Sequence, residues 1–210
     1  MRYVALGDSY TIGTSVGEDE RWPNQLVARL AAAGEAIELT GNLGVNGYTS
    51  SDLIREELPR LARLNPELVS VQIGVNDVVQ GVPEERYGGN VSEILDEILA
   101  LVPAERAVAV ATPDYTVTPQ GAAYGIPALQ RAGILHVNEI LRRAAEERGI
   151  VFAPEIFQIS GEAGEDPALV AVDGLHPSGA QYARWVDAIE PVVRAILRRQ
   201  DPLLPSGTGD

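Results

Sequence analysis

The 210-residue chain sets 30 acidic residues against 16 basic ones, a formal charge of −14, and is 45% hydrophobic, an ordinary globular composition with enough length for one well-buried core. It holds no cysteine and no lysine, which excludes disulfides, thiol nucleophiles, cysteine-ligated metals, Schiff-base chemistry and the lysine of a Walker-type phosphate loop. The acidic excess repels phosphate backbones and anionic lipid, so neither nucleic acid nor membrane insertion is expected, and the early polar residues of Met1–Asp8 suggest a cytoplasmic protein.

Along the chain, short β-branched runs alternate with longer segments of helical period, the pattern of a parallel sheet with helices on both faces. Arg2 to Leu6 is the first strand. Trp22, Leu26, Leu30 and Ala33 then recur at spacings of four, four and three, an amphipathic helix with Pro23 in its first turn. Ile37 to Thr40 is the second strand and Ser51 to about Leu61 the next helix. Leu68 to Ile73, the third strand, alternates polar with apolar, so Ser70 and Gln72 need buried hydrogen-bond partners if it is central. A helix from about Pro83 to Leu101 leads to a fourth strand, Ala107 to Thr112. The fourteen irregular residues from Pro113 to Ile126 are long for a connection and are expected to border the functional site. From about Pro127 to Arg148 the chain is helical, and Leu129, Gly133, His136 and Ile140 trace one stripe, which makes His136 a structural residue. Ile150 to Ala153 is the fifth strand. The last helix opens on Ser178-Gly179-Ala180-Gln181, a capping box, runs to Arg199, and must bend or break at Pro191. One domain over 1–200 is expected, with a disordered tail over 201–210.

Ligands of a parallel α/β sheet collect beyond the carboxyl ends of its strands. There the chain places Gly7-Asp8-Ser9-Tyr10, Asn42-Leu43-Gly44, Gly74-Val75-Asn76-Asp77, Pro113-Asp114-Tyr115 and, further on, Asp173-Gly174-Leu175-His176-Pro177. A hydroxyl, glycines, an amide and a carboxylate–imidazole pair are the parts of acyl transfer through a serine. Ser9 is the nucleophile, His176 the base, and Asp173, three residues before it, folds back onto the imidazole. The N–H groups of Ser9 and Gly44 and the Asn76 amide can stabilise the oxyanion, with Gly47 as an alternative to Gly44. Tyr10, Val45 and Val78 are the candidate walls of a small substrate pocket, and no metal or other cofactor is expected.

In order and spacing these blocks resemble those of the SGNH (GDSL-type) hydrolases. That resemblance implies a flavodoxin-like, three-layer α/β/α fold with a five-stranded parallel sheet, ester hydrolysis without a cofactor, a Ser9–Asp173–His176 triad and an oxyanion hole of Ser9, Gly44 and Asn76. Tyr10 stands where the name-giving motif has leucine, and Thr11 rules out the G-x-S-x-G elbow of the ordinary α/β hydrolases. The expected function is that of a serine esterase acting on short acyl groups of a small-molecule ester, because the Pro113 to Ile126 stretch is too polar to make a lipid lid. The competing readings are an acyltransferase or lysophospholipase on the same site, and a non-catalytic phosphate- or nucleotide-binding module built on the Ser9 to Ser15 loop.

Overall fold

The structure is a computed structural model describing residues 1–198. The strands β1 (Arg2–Gly7), β2 (Glu38–Asn42), β3 (Leu68–Gln72), β4 (Ala107–Val110) and β5 (Val151–Ala153) form one parallel sheet in the order β2-β1-β3-β4-β5. This is the flavodoxin-like order, with its switch point at β1 and β3. All five strands fall where expected, their ends displaced by one or two residues. The helices are α1 (Ser9–Ile12), α2 (Trp22–Ala32), α3 (Ser50–Asp52), α4 (Leu58–Leu61), α5 (Val75–Val79), α6 (Glu84–Leu99), α7 (Pro127–Glu147), α8 (Glu155–Gly161) and α9 (Gly179–Arg198). A π turn, Leu53–Glu57, joins α3 to α4, with the Leu58 N–H donating to the Leu53 carbonyl.

Strand alternation builds two cores. Tyr3 and Ala5 of β1 point to one face, where Trp22, Leu26, Tyr182 and Trp185 cover them. Val4 and Leu6 point to the other, against Leu53, Leu61, Tyr87 and Val91. Helices α2, α8 and α9 therefore layer one side of the sheet, and α4, α6 and most of α7 the other. The polar residues of β3 find the partners that their burial demands: the Tyr3 and Ser70 hydroxyls are 2.7 Å apart, and Gln72 Nε2 donates to the Ala111 carbonyl at 2.9 Å.

Three local expectations change. The buried stripe of α7 runs through Ile134, Val137, Asn138, Leu141, Ala144 and Ala145, so His136 lies half-exposed with Nε2 2.9 Å from Glu84 Oε2. Asn138 hid that stripe, because its buried amide serves the backbone N–H, hydroxyl and carbonyl of Thr112. At the start of α9, Ser178 Oγ accepts the Gln181 N–H at 3.4 Å, yet the Gln181 side chain donates to the Ser160 carbonyl and leaves the capping box half made. Helix α9 continues through Pro191, so of the bend or break expected there the break does not occur. Helices α5 and α8 were not anticipated, five and seven residues being too short to show a period. The tail expected over 201–210 lies outside the described residues.

Trp185 joins α9 to α1 within one core, edge-on to Tyr182 at 5.1 Å and stacked on Tyr10 at 6.3 Å between ring centroids. Trp185→Ala should lower the unfolding free energy by about 3–5 kcal/mol, the cost of a large aromatic cavity, as read from urea denaturation.

Candidate active site

Strand β1 ends at Gly7, whose φ of +153° and surroundings admit no side chain: a Cβ there would lie 2.3 Å from both the Gln72 carbonyl oxygen and Thr11 Oγ1. Asp8 follows, fully buried, and its carboxyl accepts the Tyr10 N–H at 3.0 Å, capping the short helix that Ser9 opens. Gly13, at φ +72°, ends that helix after one turn. Ser9 is thus presented at the carboxyl edge of the sheet, beside the switch point.

The acid and the imidazole sit on a small hairpin. Val170 pairs with Pro177, the Ala171 N–H donates to the His176 carbonyl at 2.7 Å, and Gly174 turns the chain at φ +73°. Asp173 Oδ1 accepts the N–H groups of Leu175 and His176, an Asx-type turn that fixes the carboxylate. Its Oδ2 lies 2.6 Å from His176 Nδ1 and accepts the Ser15 hydroxyl at 2.6 Å. Ser15 holds that hydroxyl in place from a left-handed backbone, φ +69°, rare for a residue with a side chain. Burial raises the Asp173 carboxyl, but the hydrogen bonds from Ser15, His176 and the two N–H groups outweigh it and hold the group well below the usual carboxylate range. The imidazole therefore has a charged partner on Nδ1, and its ring packs 5.2 Å from that of Tyr10.

Ser9 and His176 line one cavity of about 210 Å³, together with Gly47, Asn76, Tyr115 and Tyr124. No direct Ser9–His176 hydrogen bond forms among the described residues; contacts of this kind often tighten only around a bound substrate. The Asn76 amide donates to the Tyr48 carbonyl at 2.9 Å, the Gln80 amide to the Gly47 carbonyl at 3.3 Å, and the Ser50 N–H to Asp77 at 2.9 Å. These three links tie the Gly47 loop to α5. Gly44 lies outside the cavity wall, and its N–H is engaged by Asn42 Oδ1 at 3.2 Å. Among the described residues the N–H groups of Ser9 and Gly47 have no acceptor. Of the expected pocket walls Tyr10 lines the cavity, whereas Val45 and Val78 give way to their neighbours Asn46 and Val79. Val78 packs instead against Gly133 of α7, and the Val45 N–H donates to the Gly7 carbonyl at 3.2 Å. Tyr115 and Tyr124, ring centroids 5.8 Å apart, bring the 113–126 connection to the site, as its length suggested.

Behind Ser9 lie buried acids that make no ion pair among the described residues. Burial lifts the Asp8 carboxyl to about 7, the Tyr10 N–H opposes the rise and the neighbouring Asp77 adds to it. Burial also raises Asp77, against the hydroxyl and N–H of Ser50. Glu57 is likewise fully buried, and sequence reasoning passed over both it and Ser15. Glu57 had a signal: it interrupts the otherwise apolar row Leu53, Glu57, Leu61 at spacings of four. Ser15 had none, because its partner is 158 positions away.

Comparison with known proteins gives this geometry a context. An arylesterase of Vibrio mimicus is 29% identical over 101 residues, 46% of this chain and 48% of that protein, so the chain matches about half the length of this curated relative. The crystal structure of TesA superposes with a TM-score of 0.74 at 21% identity, covering 94% of this chain and all of that one. A variant of Axe2, an acetyl xylan esterase from Geobacillus stearothermophilus, superposes at 0.72 with 21% identity, covering 91% of this chain and 94% of that one. Both likenesses speak to the fold. The sequence profile of the GDSL-like lipase/acylhydrolase family matches residues 5–184, which include Ser9, Asn76, Asp173 and His176, and the chain belongs to that family.

Proposed function

We propose that this protein is a serine esterase that cleaves short-chain esters of small alcohols through an acyl-enzyme on Ser9. The observation that carries the reading is the convergence of Ser9, Gly47, Asn76 and His176 on one cavity, with Asp173 held 2.6 Å from the imidazole on the side away from it. In the first half-reaction His176 Nε2 takes the Ser9 proton as Oγ bonds to the ester carbonyl carbon. The electron pair moves to the carbonyl oxygen, then returns as the carbon–oxygen bond to the alcohol breaks and the imidazolium gives that alcohol its proton. Water repeats the sequence on the acyl-enzyme and releases the acid and Ser9. Asp173 keeps the Nδ1 proton in place and stabilises the imidazolium.

The oxyanion needs preorganised donors, and we assign the Ser9 N–H, the Gly47 N–H and the Asn76 amide. Gly47 takes the place first given to Gly44, since Gly47 and Asn76 stand in the cavity wall and Gly44 does not. The volume of about 210 Å³ lies below the roughly 300–1,000 Å³ that encloses a drug-sized ligand, which favours acetyl to butyryl groups. Tyr115 and Tyr124 offer rings on which a small alcohol moiety can rest. The names of the matched relatives, arylesterase and acetyl xylan esterase, point to the same class of chemistry.

Two sets of measurements test this. Ser9→Ala and His176→Ala should abolish ester hydrolysis, Ser9→Ala should abolish labelling by a fluorophosphonate probe, and Asn76→Ala should cut kcat by roughly 10²–10³ while the protein stays folded. A folded Ser9→Ala variant with near-normal turnover would remove the assignment. In a series of p-nitrophenyl esters, kcat/KM should peak at acetate to butyrate, and a maximum at decanoate or longer would contradict the short-chain reading.

A further inference from the structure

Glu57 is costly to bury on simple physical grounds. Its side chain is fully buried, it makes no ion pair among the described residues, and its Oε1 has no hydrogen-bond partner. Burying a carboxylate in this way is strongly unfavourable, so the group must be uncharged or must perform some task that offsets the penalty. Its only contact of note is a hydrogen bond: the Gly7 N–H donates to Oε2 at 2.9 Å.

That N–H has a particular place. In a parallel ladder the N–H and carbonyl of one residue both bond the neighbouring strand. The Gly7 carbonyl accepts from Val45 N–H on the β2 side at 3.2 Å, but β2 has ended at Asn42 and supplies no acceptor for the Gly7 N–H. Glu57 Oε2 fills that position. The π turn puts it there: the extra residue in Leu53–Glu57 advances the helix so that Leu53, Glu57 and Leu61 all face the core beneath β1. Two residues beyond Gly7 is Ser9.

We propose that Glu57 is a positioning residue for the nucleophile, an uncharged buried acid that takes the Gly7 N–H and thereby sets the turn from which Ser9 is presented. The proposal rests on the serine-esterase reading. Its logic is electrostatic as well as geometric. The oxyanion forms above a turn already backed by the buried acids Asp8 and Asp77, and an ionised Glu57 would add a buried negative charge that opposes the reacting oxygen. A neutral carboxyl keeps the hydrogen bond without that charge. Burial, opposed by the Gly7 N–H, reinforced by Asp8 and opposed again by Arg60, pushes the Glu57 carboxyl up to about 9. Asp8 acts from the end of β1 and Arg60 from α4, while Arg55 and Glu56 of the same turn are in solvent. Helix α6, which packs on the π turn, brings no buried carboxyl or guanidinium, and its buried Tyr87 hydroxyl donates to the Ile73 carbonyl.

The experiment compares the full-length wild-type protein with Glu57→Gln and Glu57→Leu in steady-state hydrolysis of p-nitrophenyl acetate across pH and in the rate of fluorophosphonate labelling. Glu57→Leu completes the apolar row but lacks the acceptor. It should label and turn over roughly 10- to 100-fold more slowly with KM little changed, and Glu57→Gln should recover most of that loss. The wild-type protein should lose activity in a one-proton alkaline limb near 9 while still folded, and Glu57→Gln should lack that limb. Relative to Glu57→Gln, wild-type stability should decline as pH rises from 4.5 toward about 9, because over that range the native state holds a proton the unfolded chain has released. A folded Glu57→Leu variant with wild-type kcat and labelling rate, or an alkaline limb unchanged in Glu57→Gln, would overturn the proposal. Should Glu57→Leu fail to fold, the pH profile of Glu57→Gln decides. Absence of Ser9 labelling in the wild-type protein would instead overturn the esterase reading itself.

Discussion

At Gly7 the chain must leave the sheet within a single residue while a carbonyl of β3 and the Thr11 hydroxyl close in from two sides, and no side chain fits there. Every other part of the site is arranged around that constraint. The turn brings Ser9 to the wall of a cavity, and Asp8 is buried beneath it as the cap of the Tyr10 N–H. Burial of Asp8 then lifts its carboxyl to about 7, which limits the negative charge behind the turn. The reaction we propose develops negative charge in front, where the donors of Ser9, Gly47 and Asn76 meet it.

The site is assembled from segments far apart in the chain, yet each is stiffened locally before it meets the others. The Asp173–His176 pair closes over three residues and carries its own turn and hairpin. The Gly47 loop is a separate unit, held to α5 by the Asn76, Gln80 and Asp77 side chains. What joins the units is longer in range: Ser15 reaches Asp173, and the sheet holds β1 beside β3. Positional precision of the kind acyl transfer demands thus comes from short loops with internal hydrogen bonds on a rigid sheet, not from any one contact.

Much of this was legible in the sequence for identifiable reasons. The five strands announced themselves because buried parallel strands concentrate β-branched and small residues in short runs, whereas their order β2-β1-β3-β4-β5 is read from the fold. The blocks that carry Ser9, Asp173 and His176 were legible because they are Gly- and Pro-bounded segments at strand ends, and the fold brings Ser9 and His176 to one cavity. What failed was information that depends on facing direction. Asn42-Leu43-Gly44 and Asn46-Gly47 are nearly alike as text, and only the fold shows that one glycine N–H is taken by Asn42 while the other borders the cavity. The stripe of α7 was misread by about one residue because the buried position at its centre is Asn138, a polar side chain chosen for Thr112 and not for apolar packing. Glu57 fell into the same category: a charge in an apolar row reads as a break in the pattern until the strand end it serves is in view.

The aromatic group beneath the imidazole shows how far the core and the chemistry are one structure. Tyr10, the residue after the nucleophile, lies between the His176 ring at 5.2 Å and Trp185 at 6.3 Å, and Trp185 belongs to the helix that begins three residues after His176. The helix that packs against α2 therefore also sets the floor on which the imidazole rests. A leucine at position 10 would fill similar space but would lack the planar face that meets both rings. Tyrosine in that place exchanges a generic apolar floor for one with a defined orientation, and the same ring both lines the cavity and packs beside the imidazole.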